Sequence, residues 1–267
     1  MKPIAAIARR ELASYLLTPT GYVIAALFLF FTSLVYFVVA PLLLTTGFTQ
    51  GQPASLRMFF QIGIWVLFLI APAISMRTFS EELRLGTLES LMTAPVTDTH
   101  VVVGKFAGAL GFLVIMLLPT LIFVYALERF GRPDYGELAC GYLGLILVGG
   151  AFLASGVLAS VLTSSQALAY ILTVFFWMIF LLGTGALPKL ASVAEGLSGR
   201  PGNSAQLEWI LHKGRALASF LAVGNPMTRA HGFIIGLLDT FNIVFFVSFA
   251  AVFLVVAVKA LGMRRWP

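Results

Sequence analysis

Long runs of apolar residues, separated by polar segments, are the dominant pattern along this sequence. Each run is about long enough for an α-helix to cross the roughly 30 Å hydrocarbon core of a bilayer. The pattern therefore predicts an all-α membrane protein with six spans. We place the spans at residues 22–44, 58–76, 103–127, 138–162, 168–187 and 241–262.

Prolines fall inside or at the ends of several runs, at Pro41, Pro72, Pro119 and Pro188. A proline leaves a helix carbonyl without its partner, and neighbouring helices in a membrane protein can satisfy that carbonyl. We therefore expect kinks or broken helix ends at these positions.

Residues 2–17 precede the first run and show a different pattern. Apolar residues recur there at helical spacing, with Lys2, Arg9, Arg10 and Glu11 between them. This is typical of an amphipathic helix that lies on the membrane surface. The turn-forming residues 18–21 are expected to end it, so we treat residues 1–19 as an interfacial helix. A signal peptide fits poorly, because the apolar run that follows is too long.

The composition excludes several classes of function. Of the 267 residues, 60% are hydrophobic and 10% are charged, whereas a soluble domain has about 25% charged residues. A soluble enzyme or a free nucleic-acid binder is therefore excluded. The net charge of +6 comes from basic residues beside the apolar runs, which indicates contact with anionic lipids. The three histidines show no metal-ligand spacing, so we expect no metal site.

The distribution of lysine and arginine predicts the orientation. Nine basic residues lie on the side of the two termini, and three lie in the short segments opposite. Basic segments tend to stay in the cytoplasm, so we predict a multi-pass inner-membrane protein with both termini and segment 77–102 in the cytoplasm. Segment 189–238 would then be external. It contains an amphipathic pattern around Trp209 and, at 233–238, a candidate re-entrant or interfacial helix.

Segment 77–102 has the most informative pattern. Thr78 and Glu81 have the spacing of a capping box, which predicts the start of a helix. Gly86 would weaken the middle of that helix, and Pro95 would end it. Residues 96–98 offer a new N-cap before the third span. An apolar stripe lies between these points, at Leu85, Leu88, Leu91 and Met92.

This short amphipathic helix could have either of two roles. It could lie among lipid headgroups, or it could dock into a groove on another protein. Spacing alone does not separate them. The carboxylates of Glu81, Glu82 and Glu89 favour docking, because they would face anionic lipids in the headgroup region.

The same segment resembles a known family. Glu81-Glu82, then residues 86–91 (Gly-Thr-Leu-Glu-Ser-Leu), then Pro95 and Gly104-Lys105, are similar to the membrane subunit of ABC-2 type transporters. The similarity extends over the whole chain as a single domain, 1–267. Residues 8–15, Pro19 and 236–239 resemble the gliding-motility-type and nitrous-oxide-reductase-maturation-type branch in particular.

The resemblance implies how the protein would work. Two such subunits pair, as a homodimer or with a related paralogue, and each sits on a cytoplasmic ABC ATPase that binds ATP and Mg²⁺. Lipids surround the pair, and an accessory periplasmic protein is a further candidate partner. The N-terminal helix, with Arg9, Arg10, Glu11 and Tyr15, would pack near the ATPase interface. The implied coupling residues are Glu81, Glu82, Arg84, Leu85, Gly86, Thr87, Leu88, Glu89, Leu91 and Pro95.

The chain itself is not expected to be an enzyme. It contains no G-x-x-x-x-G-K-[ST] phosphate-binding loop, and Gly104-Lys105 is followed by Phe106. We expect Lys105 to be an anchor whose ammonium reaches the cytoplasmic interface. A serine protease is the weakest alternative, because no histidine lies within a predicted span to assist Ser155.

A secondary transporter, or a membrane scaffold without an ATPase, remains the main alternative. A secondary transporter would need ionisable residues in the middle of the spans or an inverted repeat, and neither is evident. Glycines of the fourth run suggest close helix packing, which we interpret as packing within the chain. Residues 175–177 of the fifth run are candidates for the dimer contact or for contact with lipid. The family resemblance favours export.

Overall fold

The computed structural model describes residues 2–39, 56–87, 97–130, 133–198 and 225–263. Every regular element in these ranges is a helix, so the all-α prediction holds for the described chain. A π-helical turn lies at Val35–Val39, and a 3₁₀ turn lies at Leu118–Thr120. The α-helices are α1 (Lys2–Leu17), α2 (Pro19–Leu34), α3 (Arg57–Ser75), α4 (Arg77–Leu85), α5 (Asp98–Leu117), α6 (Leu121–Phe130), α7 (Tyr135–Leu162), α8 (Gln166–Ser198), α9 (Pro226–Ile234) and α10 (Thr240–Met263).

Helical stretches of membrane-spanning length and apolarity cover five of the six predicted runs. They are Pro19–Val38, Arg57–Leu85, Asp98–Arg129, Tyr135–Leu162 and Thr240–Met263. On the predicted fifth run, the described apolar stretch is shorter, at Gln166–Leu182. The chain is therefore an integral membrane protein, and the sixth crossing stays a prediction.

The chain forms two compact units, one of Met1–Val174 with Ala230–Pro267 and one of Phe175–Arg229. In the first unit, α7 is the most buried of the candidate spans and packs against α3, α5 and α10. Its glycines allow this contact. A Cβ on Gly141 would lie 2.2 Å from the ring of Phe60, and one on Gly149 would lie 2.5 Å from Leu113. The interpretation of these glycines as packing within the chain is confirmed.

In the second unit, the aromatic residues of α8 contact one another. The ring of Trp177 is buried and meets Phe176 and Phe180 edge to face, at 5.7 and 5.8 Å between centroids. Phe175 is exposed. Of residues 175–177, Phe175 is thus placed for contact with lipid or with a partner, whereas Trp177 packs inside the protein.

The prolines act in different ways. Pro119 lies in the 3₁₀ turn that separates α5 from α6, so the predicted break in the third span is confirmed. Pro72 lies inside α3, and its carbonyl accepts a 2.8 Å hydrogen bond from the backbone N–H of Met76 just after the helix ends. Backbone helix continues past Pro188 to Ser198, and Pro41 lies outside the described residues.

The predicted capping box at Thr78 is wrong. The helix starts at Arg77, and the preceding residue, Met76, makes no side-chain capping bond. Thr78 is buried inside α4, where its hydroxyl lies 3.4 Å from that of Tyr15. A tertiary contact therefore uses the side chain that local spacing had assigned to a cap. The N-cap predicted before the third span is confirmed at Thr97, whose hydroxyl accepts from the backbone N–H of His100.

Gly86 ends α4 instead of weakening its middle. Its φ of 69° is left-handed, a conformation that glycine adopts without strain. The N–H of Gly86 donates to the carbonyl of Leu83, and the N–H of Thr87 donates to that of Glu82 at 3.1 Å. This is the Schellman pattern of a helix C-terminus. Residues 88–96, with Leu88, Glu89, Leu91, Met92 and Pro95, lie outside the described residues.

The segment before the last span also differs from the prediction. Helix α8 continues to Ser198, and α9 begins at Pro226, where the Asn225 side chain accepts from the N–H of Met227 at 2.9 Å. The candidate helix at 233–238 is instead the end of α9 followed by a turn, in which Gly236 has a φ of 81°. Trp209 and the predicted outer amphipathic helix lie outside the described residues.

Candidate functional site

Helix α1 packs directly on α5, and two glycines of α5 make this close approach possible. A Cβ on Gly104 would lie 2.8 Å from the Cβ of Ile7, and one on Gly108 would lie 2.6 Å from the Cβ of Glu11. Such distances are too short for real side chains, so only glycine fits. One face of α1 is therefore covered by protein, which the surface-helix prediction did not include.

Lys105 lies between these two glycines, and its side chain is only 3% exposed. Its Nζ lies 2.8 Å from Oε2 of Glu82 and 3.9 Å from Oε2 of Glu11. It also donates to the backbone carbonyl of Thr78 and lies 4.6 Å from the centre of the Phe79 ring. The expectation that Lys105 reaches the interface is wrong, because its ammonium is held inside the protein by α1 and α4.

We call Glu11, Glu82 and Lys105, with Arg10 at its edge, the Lys105 cluster. The Arg10 guanidinium donates to Oε1 of Glu82 at 3.3 Å, but it is largely exposed and adds little. Burial raises the pKa of the Glu11 carboxyl, and the nearby Glu82 carboxylate adds to that rise, while the Lys105 ammonium opposes it. The cluster thus holds a single buried cation against two carboxylates from different helices.

A second set of contacts holds the corner between α1 and α2. The Tyr15 hydroxyl donates to the carbonyl of Ile74 at 2.9 Å, and its ring stacks on Phe112 at 5.0 Å. Burial strongly raises the pKa of the Tyr15 phenol. Arg77 donates to the hydroxyls of Thr18 and Thr20, and its guanidinium lies 4.8 Å from the centre of the Tyr15 ring.

The end of α4 projects away from these contacts. Leu85 is 62% exposed, and its neighbours Arg84, Gly86 and Thr87 are exposed as well. Glu81 is half-buried on the same helix. Among the described residues, α4 therefore has a base anchored in the Lys105 cluster and an exposed tip, residues 84–87.

The opposite end of the first unit carries a different ion pair. Arg57, at the start of α3, donates to Oε2 of Glu137 from Nη2 at 2.7 Å and from Nε at 3.0 Å. Glu137 is in the first turn of α7, after the N-cap Asp134. A Cβ on Gly236 would lie 3.1 Å from the Cα of Glu137, so the turn after α9 sits against this pair.

Comparison with known proteins identifies the architecture. The family model described as "ABC-2 family transporter protein" matches residues 19–183, more than half of the chain. The chain belongs to the ABC-2 transporter family. This family consists of membrane proteins of ABC transporters, and it normally works with a cytoplasmic ATPase.

Curated relatives of this ABC-2 protein are similar over part of their length. It is 27% identical over 133 residues to the probable multidrug ABC transporter permease YbhR of Escherichia coli strain K12, and equally to that of E. coli O157:H7. The aligned region covers 50% of this chain and 34% of each relative. The chain therefore spans about a third of the length of the curated relatives it matches.

The structure brings together some of the residues expected to serve the ATP-driven function. Arg10, Glu11 and Glu82 meet in the Lys105 cluster, and Tyr15 lies beside it. Arg9 is exposed on α1. Residues 84–87 form the exposed tip of α4, whereas the positions of Leu88, Glu89, Leu91 and Pro95 are not described.

Sequence reasoning missed the internal contacts of Lys105 and Arg77. It also missed that α1 packs on Gly104 and Gly108 of α5. One signal was present, since Gly104 and Gly108 have the four-residue spacing that lets helices approach closely. The identity of the partner helix was not readable, because α1 is distant along the chain. No group of three or more His, Cys, Asp or Glu residues with metal-site geometry occurs in the described part of the protein.

The first unit of the ABC-2 protein also has an open apolar groove of about 900 Å³. It lies between α2, α3 and the start of α8. Its walls are almost entirely hydrophobic, and the lining residues include Leu27, Phe31, Trp65, Leu69 and Tyr170. Such a surface would bind an apolar molecule better than a charged one.

Proposed function

We propose that this chain is the membrane subunit of an ATP-driven exporter, and that the tip of α4 docks on a separate cytoplasmic ATPase. The observation that carries this proposal is the exposed Leu85–Thr87 turn on a helix whose base is fixed by buried ion pairs. An apolar side chain on an anchored turn suits a groove on a partner protein. The undescribed residues 88–96 would extend the same surface with Leu88, Glu89 and Leu91.

The contacts divide the implied coupling residues into two groups, those that would face the ATPase and those that act inside the chain. Glu81, Arg84, Leu85, Gly86 and Thr87 would face the ATPase. Glu82 would act inside the chain, because its carboxylate already contacts Lys105 and Arg10. Two ATPase copies would bind ATP and Mg²⁺ and drive a pair of membrane subunits, formed by a second copy or by a related paralogue.

The excess of basic residues near the termini supports a cytoplasmic position for both termini and for the tip of α4. The open apolar groove between α2, α3 and α8 supports a hydrophobic or lipid-like cargo. Export is the direction that the family favours. An accessory periplasmic protein would be placed on the other side of the membrane, near α9.

A secondary transporter is the competing function. It would need ionisable groups within the spans. In the described spans, the charged side chains, Lys105 included, lie towards the helix ends. This distribution favours an external source of energy, which a partner ATPase would supply.

Co-purification tests the proposal. The tagged chain would be extracted from its native membrane in mild detergent, and any stoichiometric partner would be identified and assayed for ATP hydrolysis. We expect an ATP-binding partner with the wild-type chain and its loss with Leu85→Ser and Glu89→Lys. Leu237→Ser is the matched control, because Leu237 is 60% exposed in a turn at the opposite end.

Two results would contradict the proposal. One is a clean single-chain preparation across several detergents, which would favour a secondary transporter or a scaffold. The other is a partner that is retained by Leu85→Ser and Glu89→Lys as well as by Leu237→Ser. That outcome would place the ATPase contact elsewhere on the chain.

A further inference from the structure

Three helices that are separate in sequence meet at the ammonium of Lys105. The lysine belongs to α5, Glu11 belongs to α1, and Glu82 belongs to α4. The backbone carbonyl of Thr78 adds a second contact from α4. Because the ammonium is buried, water cannot replace any of these partners without opening the junction.

The junction has few ways to relax. Gly104 and Gly108 bring α1 so close to α5 that backbone and Cβ atoms are in contact. If α1 or α4 shifted alone, at least one carboxylate would be left buried without its cation, which is unfavourable. Displacement of all three elements together preserves every contact.

The contacts continue from α1 into α2. Helix α1 ends at Leu17 and α2 begins at Pro19, so a single residue, Thr18, separates them. Arg77 donates hydrogen bonds to the hydroxyls of Thr18 and Thr20. A Cβ on Gly21 would lie 1.9 Å from the carbonyl oxygen of Tyr15, so only glycine fits there. The corner is thus closely packed, and a movement of α1 would be transmitted to the first span.

We propose that Lys105 is a positioning residue that joins α1, α4 and the start of α5 into one rigid body. This step rests on the proposed function. When the ATPase displaces the tip of α4, the rigid body passes that displacement on to α2. Helix α1 then serves as a lever between the ATPase contact and the first span. An anchor floating on the membrane surface would not transmit such a displacement.

The first test uses the membrane subunit alone. Spin labels on Ala6→Cys in α1 and Arg84→Cys in α4, in a Cys140→Ser background, report the distance between the two helices. We expect a narrow distance distribution in the otherwise wild-type chain and a broad one with Lys105→Met. Lys259→Met is the matched control, since it removes an exposed lysine near the end of α10. A narrow distribution with Lys105→Met would overturn the proposal.

A second pair of variants covers the case in which Lys105→Met fails to fold. Gly108→Ala should separate α1 from α5 and broaden the same distribution without altering any charge. Gly111→Ala should not, because its Cβ would lie 3.8 Å from Leu12, an ordinary contact. Equal distributions in the two alanine variants would contradict a close-packed body.

The second test uses the complex with its ATPase. Labels on Val23→Cys in α2 and Val255→Cys in α10 would report movement of the first span when ATP is bound. We expect an ATP-dependent change in distance that is lost with Lys105→Met and kept with Lys259→Met. If the ATPase associates and the change survives Lys105→Met, the lever fails while the proposed function stands. If no ATPase associates with the wild-type chain, the proposed function fails and the lever fails with it.

Discussion

The two ends of the first unit hold their ion pairs in contrasting ways. In the Lys105 cluster the cation is buried, with 3% of its side chain exposed, and carboxylates reach it from two other helices. In the pair at the opposite end, the Arg57 side chain is 50% exposed, and only the Glu137 side chain is largely buried, with 10% of it exposed. One end joins three helices around a cation, whereas the other ties the first turns of two helices together.

This contrast shows how location decides what an ion pair contributes. Arg57 can keep water on its guanidinium if Glu137 moves, so the opposite end can loosen at moderate cost. Lys105 has no such alternative, because its surroundings are the ring of Phe79 and the backbone of α4. The Lys105 end is therefore the rigid one, and it is the end that carries the exposed tip of α4.

Loss of the buried cation should have the largest effect on stability. Lys105→Met takes the buried cation away from Glu11 and Glu82, whose side chains are only 13% and 17% exposed, and we expect the free energy of unfolding to fall by about 3–5 kcal/mol. Thermal unfolding in detergent would measure the change, with Lys259→Met as the control of small effect. Similar stability of the two variants would show that Lys105 is not a buried partner of these carboxylates.

Loss of the cation at the opposite end should have a smaller effect. Arg57→Gln keeps one polar contact to Glu137, and the solvent exposure of Arg57 limits the loss to about 1–2 kcal/mol. The same unfolding measurement applies, and Arg129→Gln serves as a control, because Arg129 is an exposed arginine in α6. A loss as large as that of Lys105→Met would remove the difference between the two ends.

The smallest expected effect is a pH dependence that arises from Glu11. Its pKa in the folded protein lies above the ordinary value of 4.5, so the folded state binds more protons than the unfolded state between those two values. Stability should therefore increase as pH falls through the raised pKa towards 4.5, and Glu11→Gln should lack this contribution. The measurement is the difference in unfolding temperature between the wild-type chain and Glu11→Gln at several pH values. A constant difference, or one of opposite sign, would contradict the burial of Glu11.

The spans were predictable because hydrophobicity is a local property of the sequence. Runs such as 138–162 coincide closely with a helix, Tyr135–Leu162, since burial in lipid or in a helical core selects the same residues. The break at Pro119 and the N-cap at Thr97 also follow from single residues. Each of these features can be read within one or two turns of chain.

The Lys105 cluster could be predicted only in part. The family resemblance pointed to Arg10, Glu11 and Glu82 as residues near the ATPase interface, but not to their contacts with one another. Local pattern suggested that Lys105 would reach water, and it assigned Thr78 to a cap. Both errors have the same physical cause, because each side chain contacts helices that are remote from it in sequence. Lys105 contacts α4 and α1, and Thr78 contacts Tyr15 of α1.

We propose that the tip of α4, and not the opposite end of the first unit, faces the ATPase. Photo-crosslinking in the native membrane tests it directly, with p-benzoylphenylalanine at Leu85 or at Tyr135, two positions of 62% and 63% exposure. We predict a crosslink from position 85 to an ATP-binding protein and none from position 135. A crosslink to that protein from position 135, or its absence from position 85, would contradict the account.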